Sequence, residues 1–288
     1  MKKLQIAYCK IQNMGDLLNE LLMERVFQVP YVHSTNLLIC DLTGIGSFMD
    51  SLFEKKTHHS EPNNLKRVIG RFARNHCITE CHTWGTGFIS DLSKECIGLN
   101  RNKVDFMAVR GKKTKACIEK IINKEINPVF GDAGILAPYL FEKPIKKEHE
   151  IGIIPHFKEQ NCQQIQILTD KFKNSCVIDL KGEPLEVVRN IAKCEYIISS
   201  SLHGLIVADA FRIPNIRVYF TDAPMGDGFK YDDYYSAYDL NVPARIIANH
   251  ADEISVEKII SEYRITDLMV KKMQNDMFNC LDQYIKER

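Results

Sequence analysis

The chain has 288 residues, 45% hydrophobic and 26% charged, a composition that supports packed cores and excludes an extended disordered protein. Its 38 Lys and Arg face 37 Asp and Glu, a balance that argues against a broad nucleic-acid-binding surface, so an anionic ligand must be held by a local cluster of cations. The apolar run after Lys2-Lys3 is too short and broken for a signal-peptide core, and no window approaches a membrane span, so a cytoplasmic protein with free thiols at its ten cysteines is expected.

Strands and helices alternate along the chain. Leu4 to Cys9 is an apolar strand, and Asn13-Met14-Gly15-Asp16 leads into a helix over Leu17 to Phe27, with Asp16 as its N-cap. Leu37 to Leu42 is a second strand, closed by Thr43-Gly44-Ile45-Gly46-Ser47; Gly44 and Gly46 do not complete a dinucleotide fingerprint, because Met49 stands where the third glycine belongs. A strand near His76 to Thr83 ends in Trp84-Gly85-Thr86-Gly87, and one over Val104 to Val109 ends at Arg110, before a helix over Lys112 to Asn123. The cluster from His76 to His82 lacks a second pair at zinc spacing, and no metal site is expected there; His58-His59 reads as exposed loop.

Glu142 to Glu150, charge-rich and holding Pro144, reads as a linker. The pattern then restarts: strands at Glu150–Ile154, Cys176–Asp179, Tyr196–Ser199 and Ile216–Phe220, helices at Gln163–Lys173, Pro184–Lys193 and Gly204–Phe211, and a helical tail over Val256 to Ile285. Such alternation predicts an α/β protein with two Rossmann-like domains of parallel sheet and a cleft between them, residues 1–143 and 144–288, the second carrying the tail.

In parallel sheets ligands bind beyond the carboxyl ends of the strands. Asn13 to Asp16, Gly44 to Ser47, Trp84 to Gly87, Arg110, His156 and Ser199 to His203 all fall there. The turn Ser199-Ser200-Ser201-Leu202-His203-Gly204 is the most informative: a helix N-terminus with hydroxyls suits phosphate or carboxylate, and His203 is a titratable group within it. Arg110 adds a permanent forked cation, and Lys230 is a third candidate cation.

These segments resemble polysaccharide pyruvyltransferases. The resemblance rests on Ser199 to Ala210 with Ile213-Pro214, on Ile151 to His156, and in order on Asn13 to Asp16, Gly131 to Gly134 and Phe229 to Tyr234. It implies a GT-B-like pair of domains, the first on the acceptor side and the second on the phosphoenolpyruvate side. It also implies transfer of pyruvate from phosphoenolpyruvate to two sugar hydroxyls, giving a cyclic ketal and phosphate. The acceptor is then a polysaccharide or lipid-linked precursor at the inner membrane face of a bacterium, reached by peripheral association. The site it implies has His203 as general acid, with Arg110, His156, Ser200, Ser201, Leu202, Lys230, Asn13, Gly15, Asp16, Gly44 and Gly46 as binding residues and no cofactor or metal. Two positions depart from the family pattern: Ser201 stands where many members have Arg, with Lys230 or His156 as substitutes for that charge, and Gly111 where many have Asp. A nucleotide-sugar glycosyltransferase and a non-catalytic glycan-binding relative share the expected fold and stay open as readings.

Overall fold

The computed structural model describes residues 2–56, 77, 79–221, 228–242, 246–247 and 253–288. His76 and Ile78 of the expected strand at His76–Thr83, and His58-His59, lie outside these; the strand spans Cys81–Thr83.

Two five-stranded parallel sheets organise the chain. The first contains β1 (Leu4–Ala7), β2 (Tyr31–His33), β3 (Leu42–Thr43), β5 (Cys81–Thr83) and β7 (Val104–Asp105), in the order β2-β1-β3-β5-β7. Two small pairs flank it: β4 (Phe53–Lys55) antiparallel to β6 (Cys96–Leu99), and β8 (Ala108–Val109) parallel to β9 (Val129–Phe130). The second large sheet contains β10 (His149–Ile154), β11 (Ser175–Val177), β12 (Cys194–Ser199), β13 (Asn215–Tyr219) and β14 (Ile246–Ile247), in the order β11-β10-β12-β13-β14. Each sheet thus places its second strand on one side of the first and its later strands on the other. The winding reverses between β1 and β3, and between β10 and β12. Such switch points open crevices at the carboxyl ends of the strands, and both Rossmann-like halves carry one.

The helices are α1 (Met14–Leu21, continued by a π-turn over Leu22–Phe27), α2 (Lys112–Ile122), α3 (Gln163–Lys171), α4 (Pro184–Ala192), α5 (Leu202–Ala210), α6 (Phe229–Ser236), α7 (Val256–Glu262) and α8 (Asp267–Glu287), with a 3-10 segment over Ala133–Leu140. One continuous buried cluster takes Leu18 from α1, Leu136 from the 3-10 segment, Ile206 from α5 and Met277 from α8, so the two halves share a core. α8 ties them further. Trp84 Nε1 donates to the Met277 carbonyl at 3.0 Å, and Gln274 Nε2 donates to the carbonyls of Ile135 at 3.0 Å and Ala210 at 3.1 Å. The tail therefore packs on both halves.

Several boundaries differ from the sequence expectation for local reasons. α1 begins at Met14, so its cap is Asn13 and Asp16 lies within the first turn. The strand expected over Leu37–Leu42 shrinks to Leu42–Thr43, because the buried Arg101 guanidinium takes the carbonyls of Leu37 and Cys40 that a sheet neighbour would need. Val104–Val109 splits into β7 and β8. The helical tail breaks between Tyr263 and Thr266, where the Thr266 side chain accepts from Met269 N and starts α8.

Candidate active site

The switch points of the two sheets face one cavity of about 210 Å3, lined from the first half by Asn13, Asp16, Ser47 and Arg110 and from the second by His156, Ser201, Leu202, His203 and Lys230. The N-terminal ends of α1, α5 and α6 contribute Asn13, Ser201 and Lys230 to its wall. Their unpaired N–H groups and dipoles favour negative charge there.

Arg110 is only 1% exposed. Its Nε donates to Asp233 Oδ2 at 3.0 Å, its Nη1 to Ser47 Oγ at 3.1 Å, and its Nη2 to the Phe88 carbonyl. Asp233, fully buried, also accepts from Thr114 N and Thr114 Oγ1, each at 2.7 Å. Two glycines make the pair fit: a Cβ on Gly87 would lie 2.6 Å from the guanidinium carbon, and one on Gly111 would lie 1.8 Å from the Asp233 carbonyl oxygen. The space beyond Gly111, where the family pattern has Asp, is filled here by Asp233. Arg110 is thus as much a structural ion as a ligand-facing one.

The serine turn divides its work. Ser199 Oγ donates to the Ile154 carbonyl at 3.0 Å and accepts from Ser201 N at 3.0 Å, fixing the turn against β10. Ser200 Oγ accepts from His156 N at 2.8 Å and donates to the buried Glu159, whose other oxygen accepts from Thr221 N at 2.8 Å. The Ser200 hydroxyl thus has two internal partners. Ser201 makes no side-chain cap bond and lines the cavity. Behind the turn, Tyr231 donates to the Ser200 carbonyl at 2.7 Å, and the Arg217 guanidinium stacks 3.5 Å over the Tyr231 ring.

His203 sits in the first turn of α5 with its side chain 14% exposed. Its Nδ1 faces Gly15, where a Cβ would fall 1.9 Å from that nitrogen. Gly15 is thus a clearance residue that lets the first half approach the imidazole. Gly44 serves a similar end behind the wall: it clears Asn19 Oδ1, which accepts from Ile45 N at 2.8 Å. Gly46 takes φ +113° beside Asp16. Asp16 itself accepts from Asn13 Nδ2 at 2.6 Å and lines the cavity.

Charge is unusual throughout. Burial, with the cations Lys230 and Arg110 and the nearby His156, pushes His203 down to about 3; burial, Lys230 and Lys158 push His156 down to about 4. Both shifts favour the neutral imidazole in the ligand-free cavity. Lys230 is lowered to about 8 by burial and by Arg110 and Arg217, and lines the same cavity. Burial raises Asp16 to about 6.

Sequence reasoning missed Glu159, Asp233 and the lining residues Phe157 and Lys158. The last two follow His156 directly, and Asp233 lies three residues beyond Lys230, but nothing in a single sequence marks a carboxylate as an internal partner.

The fold and site define an α/β protein with an anion-attracting cavity between two parallel-sheet units. The family profile for polysaccharide pyruvyl transferase matches residues 72–220, and the chain belongs to that family. It is 28% identical over 197 residues to the succinoglycan biosynthesis protein ExoV of Rhizobium meliloti, covering 67% of this chain and 52% of that protein. It is 29% identical over 137 residues to an uncharacterized protein of Acanthamoeba polyphaga mimivirus, covering 46% and 47%. The chain spans about half the length of these curated relatives. The E. coli heptosyltransferase WaaC with ADP superposes with a TM-score of 0.36 at 12% identity, over 91% of this chain and 99% of that one.

Proposed function

We propose that this chain transfers pyruvate from phosphoenolpyruvate to two hydroxyls of a sugar in a polysaccharide or lipid-linked precursor, forming a cyclic ketal and releasing phosphate. The observation that carries the reading is the match between cavity and donor. About 210 Å3 walled by Lys230, Arg110 and the α5 N-terminus suits a three-carbon phosphorylated acid. A drug-sized or nucleotide ligand needs ~300 Å3 or more.

In this scheme the donor's phosphate and carboxylate sit against Lys230, Ser201 and the N–H groups of α5. Their negative charge offsets Lys230 and Arg110, which with burial as the larger cause hold the His203 pKa down, so its pKa rises on binding. The protonated imidazole gives its proton to the methylene carbon, and C2 becomes electrophilic. A sugar hydroxyl attacks C2, its proton passing to the Asp16 carboxylate from the first half. The C2–O bond to phosphate breaks with its electron pair on the leaving phosphate, stabilised by Lys230 and Arg110; the second hydroxyl then attacks C2 and returns its proton to His203, closing the ketal. No group outside the chain and its two substrates takes part. Among the described residues no helix is long and apolar enough to cross a membrane, and a lipid-linked acceptor would be met at the membrane surface.

Calorimetry with phosphoenolpyruvate, UDP-sugars and GDP-sugars tests the reading. Phosphoenolpyruvate is expected to bind, and to lose that binding in Lys230→Ala. Tight binding of a nucleotide sugar, with phosphoenolpyruvate silent, would overturn it in favour of glycosyl transfer.

A further inference from the structure

Asp132 ends the turn after β9 and caps the 3-10 segment: its Oδ1 accepts from Gly134 N at 2.9 Å. Its other oxygen is the anomaly. Oδ2 is fully buried and has no hydrogen-bond partner, and it lies 3.9 Å from His203 Nε2, which is also buried and without a partner. Each unmet buried polar atom carries a desolvation cost, so two of them aimed at one another across the boundary between the halves are not neutral packing. A shift of about 1 Å would bring them into hydrogen-bond range.

The imidazole is thereby given two distinct edges. Nε2 is buried against Asp132, whereas Nδ1 faces Gly15, between the cavity-lining Asn13 and Asp16 in sequence, and His203 itself lines the cavity. We propose that Asp132 is a positioning residue for His203: it accepts the Nε2 proton, fixes the Nε2–H tautomer, and leaves Nδ1 to carry the proton that the reaction moves. The proposal rests on the reading above for the identity of the donor. In the transfer step the Nδ1–H bond breaks and a C3–H bond forms from the C2=C3 electron pair. The imidazole returns to the neutral Nε2–H form, held by the carboxylate. The other charges facing the ring are Lys230 from α6, Arg110 after β8 and His156 after β10, with Asp16 of α1 on the same cavity. Asp132 is the carboxylate within ion-pair reach of this ring among the described residues, and so the counter-charge that favours the imidazolium once the donor has offset the cations.

Asp132→Asn isolates the effect, because Asn Oδ1 still caps Gly134 N while Nδ2 now offers Nε2 a donor. Long-range 15N spectra of histidine-labelled protein, with His203 assigned by its loss in His203→Gln, read the tautomer directly. Ligand-free wild type at pH 7 is expected to show Nε2–H, and Asp132→Asn to move toward Nδ1–H. With phosphoenolpyruvate and a β-galactoside panel, kcat is expected to fall at least about tenfold and its alkaline limb, set by the imidazolium, to shift to lower pH, with KM for phosphoenolpyruvate changed less than about threefold. Asp132→Glu, which keeps the carboxylate, is expected to retain the Nε2–H form. An unchanged tautomer together with an unchanged pH profile in Asp132→Asn would overturn the proposal. The spectra need no turnover, so failure of phosphoenolpyruvate as donor would silence only the kinetic arm.

Discussion

Single residues around the cavity separate into those that hold the wall and those that face a ligand. Arg110 belongs to both groups, and its loss is expected to act first on stability. Arg110→Ala leaves Asp233 buried beside only Thr114, and breaking a buried pair costs about 3 kcal/mol or more. Urea unfolding of the variant measures this; a stability within about 0.5 kcal/mol of wild type would show that the pair is dispensable. Lys230 stands differently, because among the described residues no carboxylate pairs with its ammonium. Lys230→Ala is expected to raise KM for phosphoenolpyruvate by about tenfold to a hundredfold, the worth of a charged hydrogen bond, while the folded state is little affected. An unchanged KM would remove Lys230 from the donor site.

At the scale of elements, helix starts carry the site and glycines set how closely those starts meet. Gly15 lies in the first turn of α1, where alanine is otherwise a good helix former. Its Cβ would nonetheless fall 1.9 Å from His203 Nδ1. Gly15→Ala is therefore expected to cut kcat at least about tenfold with little loss of melting temperature. A variant with normal kcat would show that the imidazole need not sit where it does. This pairing also marks what a sequence makes visible. That the turns at Asn13–Asp16 and Ser199–His203 lie between a strand and a helix was legible, because alternation of strand and helix places such turns at a strand's carboxyl end, whereas the helix that carries Lys230 was not. That Gly15 and His203 touch was not, since neighbouring switch points meet only after both sheets have folded and packed. Ser200 shows the same limit: that its hydroxyl meets the buried Glu159, 41 residues upstream, is not visible in the sequence.

For the whole molecule, the buried titratable groups couple folding to pH in opposite senses. His203 and His156 have folded values near 3 and 4 against an ordinary 6.5. The folded state therefore binds fewer protons than the unfolded one, and the stability they permit is present above pH 6.5 and lost as pH falls toward 4. Asp16 and Asp132, raised to about 6, and Asp209, raised to about 7, act the other way: the folded state binds more protons, and their cost grows as pH rises from about 4 to 7. Replacing both histidines with Gln is expected to flatten the fall in melting temperature between pH 6.5 and 4. A double variant with the wild-type acid slope would place the imidazoles in ordinary solvent.

These scales meet in the claim that the cavity between the sheets turns phosphoenolpyruvate and a sugar into a ketal through His203. Incubating the protein with 13C-labelled phosphoenolpyruvate and a panel of β-galactosides, while following phosphate and the methyl region by NMR, tests it most directly. Wild type is expected to release phosphate as a new ketal methyl signal appears, and His203→Gln to do neither while remaining folded. Equal phosphate release and ketal formation by His203→Gln would contradict the account.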